Sequence, residues 1–264
     1  MPGHGVSRMD CPPDRIALAE RLADAGGQVI RRHFRTRVAV DDKPDQSPVT
    51  VADREAEAAI RALIAAERPG DGIVGEEFGA ERADAPWVWV IDPIDGTKSF
   101  IVGRPIFGTI IALLHDGWPV LGIIDQPVVG DRWVGAKGRP TLFNGTPART
   151  RDCDGLSRAI LATTAPELLE PDLPRFAKLA GHVKSTVYGG DCYSYGLLSA
   201  GFLDLVVEAN LKLYDWAGLE PVVTGAGGVM TDWEGRPLNR ASDGRVVAAG
   251  DPRVHAEALA MLNT

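Results

Sequence analysis

Apolar residues at Leu18, Leu22, Ala25, Val29 and Ile30 recur at helical intervals, which predicts an amphipathic helix from Asp14 to about Phe34. Residues 1–13 before it read as a loose arm closed by Pro12-Pro13. A polar loop, 41–48, follows the helix. Thr50-Val51-Ala52-Asp53 then reads as a capping box with Asp in place of the usual Glu. It opens a second helix with Ala56, Ile60, Leu63 and Ile64 on one face, stopped by Pro69-Gly70. From there the pattern turns extended. Gly72–Gly75 reads as a short strand and Trp87–Ile91 as a buried one. Phe107–Leu114 and Val120–Ile124 flank the hairpin signal His115-Asp116-Gly117, and Trp133-Val134 continues the meander.

Turn residues at 137–140 and 144–147 predict the close of a first lobe, residues 1–140, made of two helices and an antiparallel meander. In the second lobe, residues 141–264, strands at Ile160–Thr163, Val183–Val187, Leu205–Val207 and Val246–Ala249 alternate with helices. Those helices are expected at Leu173–Leu179, Cys192–Ala200, from Asp215 towards Gly225, and at His255–Leu262. The alternation predicts a layered α/β sandwich.

Composition narrows the function. Against 36 Asp and Glu stand 28 Lys and Arg, a net charge of −8, so no basic stripe for nucleic acid is expected. The 30 Gly and 19 Pro predict many tight turns. Cys11, Cys153 and Cys192 are far apart, odd in number and without CxxC spacing, so neither a zinc ribbon nor a disulfide framework is indicated and a reducing cytoplasm is the expected setting. No run approaches the ~18 apolar residues of a membrane span, and the start of the chain has no apolar leader segment. Neither a membrane nor a nucleic acid is therefore an expected partner.

Familiar nucleotide and hydrolase motifs fail on context. Gly70-Asp71-Gly72-Ile73-Val74-Gly75 matches GxGxxG, but a helix precedes it and a strand follows, the reverse of a dinucleotide site. Gly225-Ala226-Gly227-Gly228 follows a helix and suits a C-cap or close packing. No GxxxxGK[ST], HExxH or GxSxG occurs, and the five histidines cluster nowhere.

Acidic residues are better placed. In Trp89-Val90-Ile91-Asp92-Pro93-Ile94-Asp95-Gly96-Thr97 a buried strand ends in two carboxylates, with Pro93 bending the chain between them and Gly96 permitting a sharp turn. Two such Asp residues suit a Mg²⁺-type cation, which takes oxygen ligands; an Asx-turn ending the strand would explain the pair equally well. Glu76-Glu77 follows another strand, Asp53 lies in the first turn of a helix, and Asp215 begins one. Taken singly these read as a solvated pair, a cap and an N-cap. Four segment ends of one sheet system each offering a carboxylate would repel unless cations neutralise them. The DxDxT signature of covalent aspartyl phosphatases has a different spacing and no intervening proline.

These residues resemble the inositol monophosphatase superfamily. Gly75-Glu76-Glu77 resembles its GEE element, and Trp89 to Phe107 its WVxDPIDGTxxFxxGxPxF signature. Val49-Thr50-Val51-Ala52-Asp53 resembles VTxAD, and Tyr214-Asp215-Trp216-Ala217-Gly218 with Gly225–Gly228 resembles WDxAAG followed by GAGG. The matches keep their order across residues 43–235. The resemblance implies an αβαβα sandwich of the inositol monophosphatase and fructose bisphosphatase type, acting as a metal-dependent phosphatase on a small phosphate monoester. It implies two or three Mg²⁺ ions held by Glu76, Asp92, the Ile94 carbonyl, Asp95 and Asp215. It also implies Thr97, bonded to Asp53, as the group that orients and deprotonates the attacking water, with Glu76 sharing the catalytic set. Gly96 and Thr97 amides would cradle phosphate oxygens beside Asp95 and Asp215, and a homodimer is implied.

Within the superfamily, Gly189-Gly190-Asp191-Cys192-Tyr193-Ser194-Tyr195-Gly196 resembles the histidinol-phosphate branch, as do Lys98-Ser99-Phe100, Leu205-Val206-Val207-Glu208 and Tyr214 in place of Trp. Asp191 and Glu208 are acidic groups expected in the substrate pocket outside the metal set. A cationic amine or imidazolium needs such partners and a neutral polyol does not. The expected reaction is hydrolysis of L-histidinol phosphate in histidine biosynthesis, with inositol or sugar phosphates as the alternative.

Overall fold

The computed structural model describes residues 9–37, 39–42 and 48–264. Residues 1–8 of the expected arm and 43–47 of the polar loop lie outside the described residues. The end of that arm is not loose: Cys11 is buried and its N–H donates to the Lys137 carbonyl at 3.2 Å.

The chain runs through α1 (Pro13–His33), β1 (Val40–Asp42), β2 (Pro48–Thr50), α2 (Val51–Glu67), β3 (Gly72–Gly75), β4 (Gly79–Glu81), β5 (Trp87–Asp95) and α3 (Thr97–Ile101). It continues with β6 (Gly108–His115), β7 (Trp118–Gln126), β8 (Asp131–Ala136), β9 (Leu142–Phe143), β10 (Thr146–Pro147) and β11 (Ile160–Thr163). Last come α4 (Leu173–Ala180), β12 (Ser185–Tyr188), α5 (Asp191–Ser199), β13 (Leu205–Glu208), α6 (Leu213–Trp216), α7 (Leu219–Gly225), β14 (Val229–Thr231), β15 (Val246–Ala249) and α8 (Pro252–Leu262).

Two sheets result. One holds eight strands in the order β10-β9-β8-β7-β6-β5-β3-β4, parallel only between β3 and β5. The other holds five, β12-β11-β13-β15-β14, with β12, β11 and β13 parallel and β15 antiparallel to both its neighbours. The turn-rich stretch after residue 140 does more than join lobes. Asn144 and Gly145 both adopt positive φ and fold β9 and β10 into a hairpin that extends the first sheet. Short strands β4 and β14 also escaped the pattern, because three residues show no periodicity. The strand expected at Val183–Val187 begins two residues later.

Five layers stack through these sheets. Leu18 and Leu22 of α1 and Ile60 and Ile64 of α2 pack with Trp89, Ile91, Ile111 and Leu121 on one face of the large sheet. Val88, Val90, Ile110 and Trp133 on its other face meet Tyr195, Leu198, Trp216 and Val222, which also pack against Val206, Val246 and Ala248 of the small sheet. Phe176, Leu179, Val254 and Leu262 of α4 and α8 cover that sheet's far face. The architecture is therefore the expected αβαβα sandwich. Both sheets are covered on two faces, which is why β5 to β7 read as continuous apolar runs.

Close backbone approach sets the middle layer. A Cβ on Gly122 of β7 would overlap the Gly218 carbonyl, and one on Gly218 would come within 2.6 Å of the Ile110 Cγ2. Gly218 lies three residues beyond Asp215, so this contact fixes how far α6 stands from the large sheet. Gly122→Ala is expected to destabilise the protein by about 3 kcal/mol, because a backbone contact cannot move aside as a side chain can. Urea unfolding of the two proteins measures it; an unchanged midpoint would refute the close-approach argument.

Candidate active site

Pro93 cannot donate to β6, and the β5–β6 register slips between Asp92, opposite Ile110, and Asp95, opposite Gly108. The Thr109 hydroxyl donates to the Pro93 carbonyl at 2.8 Å and secures the irregular stretch. Ile94 N–H donates to Asp92 Oδ1 at 3.1 Å. Across this bulge, carboxylate oxygens of Asp92, Asp95 and Asp215 all lie within 4.8 Å of one another. Asp215 is the third residue of α6 rather than its start. Lys212 N–H donates to its Oδ2 at 2.6 Å, a cap contributed from inside the first turn.

Glu76 follows β3, the parallel neighbour of β5, and acts on Asp92 both as a negative charge and as a hydrogen-bonding partner. Its turn is built by Glu57 of α2. That buried carboxylate accepts the N–H of Glu77 at 2.7 Å and of Phe78 at 3.2 Å, and pairs with Arg61 Nε at 2.7 Å. A side chain on Gly75 would overlap the Glu57 carboxylate, so the glycine of the GEE element is sterically required. Glu57 belongs to none of the sequence motifs. Its position four residues after Asp53 and four before Arg61 was the available signal.

Asp53 is fully buried. Its Oδ2 accepts the Thr50 N–H at 2.8 Å and the Thr50 hydroxyl at 2.6 Å, completing the expected capping box. Its other oxygen lies 3.4 Å from Thr97 Oγ1, which is also 3.1 Å from the Ile94 carbonyl. Gly96, at φ 89°, turns the chain into α3. An added Cβ there would meet Asp191 Oδ2 at 2.5 Å, so Asp191 sits directly against this turn.

Gly190 occupies the cap position of α5; Asp191 is the first helical residue, at φ 41°, with its carboxylate hydrogen-bonded to Ser99 and near Lys98. Asp95 Oδ2 accepts the Cys192 N–H at 2.5 Å, tying α5 to the end of β5. Glu208 ends β13 with both oxygens occupied: Oε1 accepts the Thr164 N–H at 2.9 Å and the Thr164 hydroxyl, and Oε2 accepts the Tyr195 hydroxyl at 3.0 Å. The expectation that Glu208 faces the ligand thus becomes a fixed charge in the wall, its oxygens already serving three donors. Asp95, Asp191, Glu208 and Asp215 together line one cavity of about 210 Å³, and no Lys, Arg or His lines it among the described residues.

Burial and mutual repulsion raise these carboxyl groups. Asp92 is pushed well above the usual range, first by desolvation and then by Glu76, Asp95 and Asp215. Desolvation, with the charges of Asp191 and Asp215, does the same to Asp95 against the opposing Cys192 amide. Asp215 is pushed up to about 7 by desolvation, opposed by the Lys212 amide. Asp191 also rises to about 7, through desolvation and the charge of Glu208, against Ser99 and Lys98. Burial raises Asp53 and Glu208, with the Thr50 bonds and the Thr164 and Tyr195 bonds respectively pulling back. Hard oxygen donors held this close are what a small divalent cation accepts, and their repulsion is what its charge would relieve.

Every residue expected at the site is therefore brought into one region, with Thr164, Tyr195 and Asn210 added from the second half. The sequence description of the inositol monophosphatase family matches residues 14–263. The chain is 48% identical over 264 residues to the bifunctional phosphatase IMPL2, chloroplastic, of Arabidopsis thaliana, covering 96% of this chain and 76% of that one. It is 35% identical over 258 residues to the histidinol-phosphatase of Mycobacterium tuberculosis, covering 95% and 98%. The solved structure of an inositol monophosphatase from Zymomonas mobilis superposes with a TM-score of 0.88 at 54% identity, covering 95% of this chain and 98% of that one.

Proposed function

The chain belongs to the inositol monophosphatase family, and on that premise we propose that it hydrolyses L-histidinol phosphate to L-histidinol and phosphate. The observation that carries this reading is the cavity beside the acidic cluster, lined by Asp191 and Glu208 and by no basic side chain among the described residues. A phosphate ester whose other end carries an ammonium and an imidazole complements that charge, whereas a neutral polyol brings no positive charge to it. The histidinol-phosphatase among the relatives supports the same choice. The 54% identity to the Zymomonas mobilis inositol monophosphatase favours a second reading, a polyol phosphatase. Phosphate release from histidinol phosphate and from inositol 1-phosphate, compared at ~5 mM Mg²⁺, decides between them. A preference for histidinol phosphate of ~10²-fold or more is expected from a buried charge contact; equal or reversed rates would remove the amine from the argument.

In this reading Glu76, Asp92, the Ile94 carbonyl, Asp95 and Asp215 would hold two or three Mg²⁺ ions, which lower the pKa of water and neutralise phosphoryl charge. The chain's own groups do the rest. Thr97 orients the attacking water and takes its proton while passing its own to Asp53, whose burial makes it a better base than a surface carboxylate. The amides of Gly96 and Thr97 receive phosphate oxygens at the turn after β5. Asp191 receives the cationic end of the substrate.

A carboxyl group whose pKa is raised in the folded state binds its proton more tightly there than in the unfolded chain. Cation-free protein is therefore stabilised below these raised pKa values and loses that stability as pH rises from about 4 through about 7, the value reached by Asp215. Added Mg²⁺ favours the ionised carboxylates, so it is expected to raise Tm more at pH 8 than at pH 5.5. Thermal melts with Mg²⁺ and with EDTA at the two pH values test this. An equal rise at both would detach the cation from these groups.

A further inference from the structure

We propose that Leu168 is a specificity-determining contact, forming an apolar wall for a flat ring on the non-phosphate end of the substrate, and that Asn210 is the residue that positions it. The inference rests on the reading of an amine-bearing substrate given above and adds the recognition of its ring. Leu168 lies in the short 3-10 turn Pro166–Leu169 and is 46% exposed, although it lines the same cavity as Asp191 and Glu208. Its exposure is not that of a loose loop. Leu169 beside it is buried in the core, and Asn210 Nδ2 donates to the Leu168 carbonyl at 2.9 Å and to the Glu170 carbonyl at 2.8 Å. At the other end of the strap, Thr164 is held by Glu208. Both anchors leave the end of β13 two residues apart, so the strap moves with the strand that carries the specificity charge.

Asn210 sits at φ 61°, a left-handed conformation that Asn tolerates better than most residues and that aims its amide back at the strap. A large apolar side chain held at the mouth of an acidic cavity suits a ligand with one cationic and one weakly polar face. An aliphatic wall against an aromatic ring excludes water from both surfaces, while a polyol with hydroxyl groups on every side gains little from it.

Full-length wild type, Leu168→Ala and Asn210→Gly are compared with Mg²⁺ on histidinol phosphate and inositol 1-phosphate. Leu168→Ala is expected to raise KM for histidinol phosphate about tenfold, the size of a lost apolar contact in a pocket. Its kcat and its KM for inositol 1-phosphate stay within about twofold, and its Tm is nearly unchanged because the side chain is exposed. Asn210→Gly keeps the backbone conformation and the leucine but loses both amide bonds, and shifts KM in the same direction by less. A wild-type preference for histidinol phosphate that survives Leu168→Ala unchanged, or an equal loss on both esters, overturns the inference alone. Absence of that preference in the wild type overturns the substrate reading and the inference with it.

Discussion

Asp92→Asn lowers phosphate release by about 10³-fold or more, the loss expected when a group acting on developing transition-state charge is removed. The same substitution leaves the cation-free fold as stable as wild type or more so. Asp92 is 2% exposed and repelled by Glu76, Asp95 and Asp215, so an amide of equal size relieves repulsion and desolvation together. This pairing of lost activity with retained stability is the mark of a site that stores repulsion for a cation. Phosphate release with Mg²⁺ and Tm in EDTA provide the two readings. Near-normal activity would show that Asp92 ligates nothing, and a large drop in Tm would show that its carboxylate serves the fold.

Asp191→Asn separates the candidate substrates. The amide keeps the side chain's size, and Asn accepts the positive φ of 41° as readily as Asp, so backbone and helix α5 stay in place. What is lost is a half-buried acidic group resting against Gly96, at the turn expected to hold the phosphate. The expected result is a loss of about 10² in kcat/KM for histidinol phosphate, with inositol 1-phosphate hydrolysis little changed. An equal loss on both esters would make Asp191 a support for the Gly96 turn rather than a partner for an amine. Activity unchanged on both would leave the cavity's charge without a role in recognition.

Much of the fold was legible because its signals are local. Helices α1 and α2 follow apolar periodicity, the Thr50 capping box marks its own position, and Asp116-Gly117 places the β6–β7 hairpin. The motif residues Asp53, Glu76, Asp92, Asp95 and Asp215 were legible in the same way, since each sits at an element end that the pattern defines. Glu57, Thr164, Tyr195 and Asn210 were not. Each acts through a partner 13 or more residues away, such as Glu57 with Glu77 20 residues on, or Asn210 with Leu168 42 residues back. Glu57 leaves only the trace of its four-residue spacing to Asp53 and Arg61, Tyr195 lies in a segment whose resemblance does not show its bond to Glu208, and nothing in the neighbouring sequence distinguishes Thr164 or Asn210 from ordinary polar residues.

The sequence by itself determined the layered α/β class, the two apolar helices, the bend at Pro93 and the set of carboxylates placed at segment ends. Short-range sterics, hydrogen-bond capping and periodic burial act within a few residues, so they leave their trace in the local pattern. Only the tertiary structure decided that Asp215 meets Asp92 and Asp95, which depends on Gly122 letting the Gly218 backbone approach the large sheet. It also decided that Glu208 is a fixed wall charge and that Leu168 lines the same cavity. Those outcomes depend on which surfaces remain in contact once two sheets and three helical layers are packed, a property of the whole chain that no local window contains.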